Sequence, residues 1–266
     1  MAEITAALVR ALREETGQGM MECKRALEQT GGDREAARDL LRKKGLVTAE
    51  KKAGRATSEG LIGISINPAR TSGVMVEVRC ETDFCARNQV FRDMVKAVTD
   101  MATNSAQDRI VATAEMDAAV KGALSKIGEN MSFARGIRIN APVVAGYLHH
   151  NGKVGVLLGI DGTVSEELLA DLCMHVAFAD PMGIVAADIP AKILDKEREI
   201  ALAQAMESGK PREIAEKMVE GKIRKFVEAN ALTEQLFVKD DKKKIKEVLG
   251  QARIVAFARL AVGVDQ

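Results

Sequence analysis

The chain has 266 residues, 47% hydrophobic and 29% charged, with 39 Lys/Arg against 38 Asp/Glu for a net charge of +1. That balance suits a globular core but excludes the basic footprint of a dedicated nucleic-acid binder, and 3% aromatic residues exclude the stacking platform of a single-strand binder. No apolar run reaches the ~18 residues of a membrane span, and Met1-Ala2-Glu3-Ile4 opens no basic-plus-apolar leader, so a cytoplasmic protein with neither membrane nor nucleic acid as partner is expected.

Residues 1–55 predict three short helices. Ile4, Leu8 and Leu12 mark one apolar stripe, ended at Thr16-Gly17. Met20, Met21, Cys23, Ala26 and Leu27 mark a second, ended by Gly31-Gly32. Asp33 is an N-cap for a third, with Ala36, Ala37, Leu40 and Leu41 inward and Gly45 as its stop. Adjacent helical residues diverge by about 100°, so one of Met20 and Met21 should pack while the other offers a soft contact to a partner. Thr16-Gly17-Gln18-Gly19 reads as a helix–helix turn, since the glycine-rich phosphate-loop pattern is absent. The small, charged stretch 49–58 reads as a linker.

From Gly60 the period changes to two. Ile62, Ile64 and Ile66 alternate, Asn67-Pro68 opens a turn closing at Gly73, and Val74, Val76 and Val78 alternate on the way back, which predicts a β-hairpin. A helix begins near Gln89 with Val90, Met94, Val98 and Met101 at helical spacing, and a weaker helical stretch runs 117–130. The order then recurs: strands at 143–149 and 154–160 about Asn151-Gly152, then a helix at 165–178. Two α+β subdomains follow, each with helices over an antiparallel sheet. Between 189 and 228 the pattern is helical without a sheet partner. One arm carries Ile193, Ile200 and Ala201, the bend is Ser208-Gly209-Lys210-Pro211 with Pro211 in the next helix's first turn, and the other arm carries Ile214, Met218, Val219, Ile223 and Phe226. This predicts a protruding antiparallel helical hairpin. Strand 236–238, a basic helix near Asp241 and strand 253–262 return to the second subdomain. The resulting division is 1–55, 56–140, 141–188 with 230–266, and the hairpin at 189–229.

No catalytic constellation is present. His149 and His150 end a strand at a turn, and His175 lies on a helix among apolar residues, where a packed histidine is expected. Cys23, Cys80, Cys85 and Cys173 are too scattered for a disulfide framework and lack zinc spacing, so free thiols and no metal or other cofactor are expected. The most informative segment is 81–88. Phe84 stands there in a charged connection between strand and helix, where nothing local buries it, in a chain with 7 Phe, 1 Tyr and no Trp. Burying a phenylalanine is worth roughly 1.5–3 kcal/mol, so an apolar pocket is expected, in this chain or in a partner. Asp83 or Thr82 could N-cap the following helix, or Asp83 could flank a protruding hot-spot aromatic.

The run LREETGQGMMECKRAL at 12–27, TDF at 82–84, KIGEN at 126–130, MHVA at 174–177, SGKP at 208–211 and IAEKMVEG at 214–221 together resemble the bacterial elongation factor Ts family, over nearly the whole chain. The resemblance implies a ubiquitin-associated-like N-terminal domain, a core of two α+β subdomains and the helical hairpin. It also implies guanine-nucleotide exchange on elongation factor Tu as a heterodimer, with further association of two such pairs left open. By that resemblance Thr82, Asp83, Phe84 and Cys85 enter beside the partner's magnesium site, Arg13, Met20, Met21 and Lys24 grip the nucleotide-binding domain, and His149 faces another domain. No bond is made in exchange, so no enzyme is implied. Cys85 stands where the family more often has Val, and the chain stops at Gln266, before the extra C-terminal helix of some members. Two alternatives stay open: residues 1–55 as a peptide or ubiquitin-like reader on a scaffold, and Cys80 or Cys85 as a redox thiol, which requires a depressed thiol pKa.

Overall fold

The computed structural model describes residues 4–207 and 212–264. Thr5 caps the first helix, α1 (Ala6–Thr16), by accepting the Leu8 N–H at 3.3 Å. Gly17, at φ 67°, takes the left-handed conformation that ends it. α2 (Met20–Gln29) starts three residues later. Asp33 accepts the Ala36 N–H at 3.0 Å and opens α3 (Arg34–Lys52). Val9, Leu12, Cys23, Ala26, Leu27, Ala37 and Leu41 close a small core between the three helices, while Ala36 turns out to solvent.

Two expectations are corrected here. Gly45 does not stop the helix, which continues to Lys52, so the connection to the rest of the chain is shorter than 49–58. The glycine serves close approach instead: a Cβ there would lie 2.8 Å from the Ser125 Cβ. Met20 and Met21 are both exposed, at 42% and 57%. They begin α2 at the rim, and Cys23, Ala26 and Leu27 fill the inward positions alone.

Next come β1 (Glu59–Ile66) and β2 (Ser72–Cys80), paired antiparallel, then α4 (Asp83–Arg87), α5 (Gln89–Ala102), β3 (Arg109–Ile110), α6 (Ala114–Ile127) and β4 (Met131–Asn140). The first sheet has the order β1-β2-β4-β3. β3 and β4 are not among the predicted strands, and β4 carries a bulge. Glu77 pairs with Arg135 but Val78 with Phe133, which skips one residue. Met131 and Phe133 therefore join the cluster under α5 and α6, whereas Ile137 and Ile139 join the cluster facing the other sheet.

β5 (Val143–Leu148), β6 (Val154–Asp161) and, after a long excursion, β9 (Arg253–Ala261) form the second sheet in the order β5-β6-β9. The excursion holds α7 (Glu166–Ala179), α8 (Ala191–Glu207), α9 (Arg212–Asn230), β7 (Leu236–Phe237), β8 (Asp240–Lys244) and α10 (Ile245–Leu249). The basic segment near Asp241 is thus a strand, not a helix: Leu236 pairs with Lys244 and Phe237 with Asp240, and the helix waits for Ile245.

The two sheets stack face to face. Ile62, Met75, Ile139, Val144, Leu157, Ala258 and Leu260 fill the layer between them. α5 and α6 cover the outer face of the first sheet, and α7 that of the second. Strands β2 and β6 are buried on both faces as a result, and the fold is α+β with antiparallel sheets.

α8 and α9 pack on each other, with Lys222 Nζ reaching Gln204 Oε1 at 2.6 Å across the pair. Their seam is made by Ala201, Ala205 and Ala215, while Ile200 and Ile214 are exposed, contrary to the stripe read from the sequence. Small residues let the two helices approach closely and leave the larger neighbours outside. The bend at 208–211, Pro211 included, lies outside the described residues.

Candidate functional site

The segment 81–88 is not an open loop. Thr82, in extended backbone, caps α4 by accepting the Cys85 N–H at 3.2 Å, which settles the cap on Thr82 and leaves Asp83 as the helix's first residue. Asn88 then caps α5 by accepting the Val90 N–H at 2.9 Å. Cys85 and Ala86 of the short helix point into the core shared with Val78, Cys80 and Phe91. Helical geometry then turns Phe84, about 100° from Cys85 and about 200° from Ala86, away from that core. Phe84 is 79% exposed, whereas Phe91, seven positions on, is fully buried. Asp83 is partly exposed beside it and pairs with Arg87 at 3.0 Å across one helical turn. A carboxylate in the first turn and an arginine in the last both suit the helix dipole.

The tip is anchored from behind. The Thr82 N–H donates to Glu129 Oε2 at 3.0 Å, and the Thr82 hydroxyl donates to the same carboxylate at 2.8 and 3.1 Å. Glu81 accepts the Asn130 N–H at 2.5 Å and faces the Arg55 guanidinium at 3.5 Å. The Cys80 thiol donates to the Thr82 carbonyl at 3.3 Å. Sequence reasoning missed Glu81, Glu129 and Asn130 as supports. The available signal was the Gly128 C-cap of α6, which marks the next residues as a turn free to bond elsewhere.

The other site residues named from the sequence fall in two places. Arg13 lies exposed in the last turn of α1, Met20 and Met21 open α2, and Lys24 is half exposed on α2, 3.8 Å from Glu28. This face belongs to the helical domain that docks on α6, where Gln18 Nε2 meets Ser125 Oγ at 3.1 Å. His149 follows β5 on the second sheet, and its Nδ1 shares a hydrogen bond with the Tyr147 hydroxyl at 2.9 Å. Cys85 is only 2% exposed, so of the four tip residues it supports the turn from below.

The Cys80 thiol gives no sign of redox chemistry. The Cys85 thiol as hydrogen-bond partner, together with burial, pushes the Cys80 thiol far up, opposite to the depression a reactive cysteine needs. Burial pushes Cys173 up to about 12. Among the described residues no group of three His, Cys, Asp or Glu side chains could hold a metal ion, and no helix is long and apolar enough to cross a membrane. The most exposed aromatic is Phe178, at 81% in the last turn of α7, a position for which the periodicity predicts only a helix.

Residues 81–264 match the family model described as "Elongation factor TS". The chain is 44% identical to elongation factor Ts of Paramagnetospirillum magneticum, with 99% of this chain and 92% of that protein covered. It is 46% identical to elongation factor Ts of Rhodospirillum rubrum (95% and 87% covered) and 40% identical to that of a Nitratiruptor species (98% and 93% covered).

Proposed function

The chain belongs to the elongation factor Ts family of translation elongation factors, and on that premise we propose that it promotes GDP release from elongation factor Tu. One observation carries the mechanism: Phe84, in an aromatic-poor chain, is held out in solvent by a helix turn whose neighbours are locked into the core. In this reading Phe84 enters an apolar pocket of the partner beside its magnesium site, with Asp83 facing the adjoining backbone. The Mg²⁺ is displaced, the phosphate loop rearranges, GDP leaves and GTP can rebind.

Driving an equilibrium from 1:99 to 99:1 takes about 5.5 kcal/mol. Burying one phenylalanine supplies roughly 1.5–3 kcal/mol, so the tip needs a wider grip. The exposed face carrying Arg13, Met20, Met21 and Lys24, and the second sheet's edge at His149, supply it in this reading, within a heterodimer. Linkage requires bound GDP to weaken the association by the same factor by which the association weakens GDP binding. No covalent bond changes, so the activity is exchange and not catalysis of a chemical reaction.

The test is release of a fluorescent guanosine diphosphate from elongation factor Tu. The wild-type chain should accelerate release and Phe84→Ala should lose most of that acceleration. No acceleration by the wild type rejects the exchange role; equal acceleration by Phe84→Ala rejects the wedge alone.

A further inference from the structure

We infer that Glu129 is a positioning residue that sets the aim of the Phe84 tip, and that the turn it occupies fixes the tip and the N-terminal helical domain in one frame. Three consecutive residues after α6 together hold two distant segments, 52–55 and 81–82. The Gly128 carbonyl accepts from Lys52 Nζ at the end of α3. The Glu129 carboxylate holds Thr82 at both its amide and its hydroxyl, at 3.0 and 2.8 Å. Asn130, 5% exposed, donates from its backbone to Glu81 at 2.5 Å and from Nδ2 to the carbonyls of Arg55 at 2.7 Å and Ala53 at 3.4 Å.

The Thr82 hydroxyl is the hinge pin of this arrangement. It donates to Glu129 while accepting the Cys85 N–H at 3.2 Å, so the carboxylate polarises the hydroxyl that starts α4. Without the carboxylate the hydroxyl can rotate and the Thr82 N–H loses its acceptor, so the five-residue helix, with few internal bonds, keeps its core contacts at Cys85 and Ala86 but loses the fixed start that sets its direction. Phe84 is two residues from that pin. Burial of Cys85 and Ala86 turns Phe84 outward, and the cap at Thr82 sets the start of the turn that carries it.

The role in exchange rests on the function proposed above, and the experiment separates the two. Amide exchange measured on the chain alone reports the anchoring. The Thr82 and Cys85 amides should be protected in the wild type and exchange at least about ten-fold faster in Glu129→Ala. In GDP release, Glu129→Ala should lower the maximal rate about ten-fold and move the half-saturating concentration less than about three-fold, because the gripping faces are untouched. Glu129→Gln, which keeps an acceptor for the hydroxyl, should recover most of the rate. Thr82→Val combined with Glu129→Ala should be no worse than the stronger single variant. Unchanged amide protection in Glu129→Ala overturns the inference. So does a full maximal rate, or a loss confined to the half-saturating concentration. If the wild type releases no GDP the exchange role fails, and amide exchange still decides whether Glu129 aims the tip.

Discussion

At the scale of single residues, two phenylalanines seven positions apart have opposite fates, and the difference is set by which neighbours the core takes. Phe91 is fully buried, whereas Phe84 is displaced outward by Cys85 and Ala86. Phe84→Ala should therefore leave the unfolding free energy from urea titration within about 0.5 kcal/mol of wild type, since a side chain already in solvent has little burial to lose; a larger drop would mean that Phe84 packs on its own chain. The sequence made the exposed aromatic suspect but left its pocket open, because inward choices for Cys85 and Ala86 depend on a strand and a helix brought together in space. His175 carries the pH dependence. Burial lowers its pKa below the ordinary 6.5, with the Gln235 bond opposing. Its Nδ1 accepts the Val238 N–H at 3.2 Å, and its Nε2 meets Gln235 Oε1 at 2.9 Å, an arrangement only the neutral ring can make. The unfolded chain thus takes up a proton near 6.5 that the folded chain refuses, so stability is complete above 6.5 and falls as pH drops through and below it. Chemical denaturation at pH 7.5 and 5.5 should show the loss, and His175→Gln should flatten it. Glu166, held below 4.5 by Arg70, and Glu234, held there by Lys246 and Lys244, contribute only at lower pH.

At the scale of elements, period and caps carried most of the fold. Asp33, Gly17, the hairpin about Asn67 and the Asn151-Gly152 turn act where the sequence placed them, because each effect is local. The misses share a cause: a partner element overrides the local pattern. Met131, Phe133, Ile137 and Ile139 of β4 do alternate in the sequence, interrupted at Arg135, but the bulge sends the first two and the last two to opposite faces, which the alternation alone does not reveal. Gly45 looks like a terminator and is instead a contact point between α3 and α6. Replacing it with Leu should separate those helices; the expected result is faster amide exchange through α3 with the sheets unaffected, and unchanged protection would show that the contact is not tight. The layer between the sheets is equally strict. A Cβ at Gly155 would lie 2.6 Å from Ile62 Cγ2 and 2.8 Å from Met75 Sδ. Gly155→Ala should cost about 1–3 kcal/mol in a denaturant titration, as overpacked cores do.

At the scale of the whole molecule, one buried carboxylate ties distant segments together. Glu77, fully buried on β2, accepts from Arg79 and Arg135 at 2.6 Å each and from the Gly263 N–H at 3.0 Å, while Arg135 also donates to the carbonyls of Ala261 and Val264. Glu77→Ala leaves two partly buried arginines facing no carboxylate and should cost about 3 kcal/mol, read as a lower midpoint of one shared transition. A separate early transition of the second sheet would show instead that the sheets unfold independently. No sequence pattern announces such a node, because its members come from β2, β4 and the segment after β9. The second sheet has a further consequence for the order of events during synthesis. Its central strand, β6, finds β5 at once, but its other neighbour, β9, pairs Asp161 with Arg253, 92 residues later. Until those residues leave the ribosome, the nascent chain carries a half-built sheet with an open, apolar edge. At a synthesis rate of about 5–20 residues per second that edge waits several seconds, long enough for chaperones or other nascent chains to reach it.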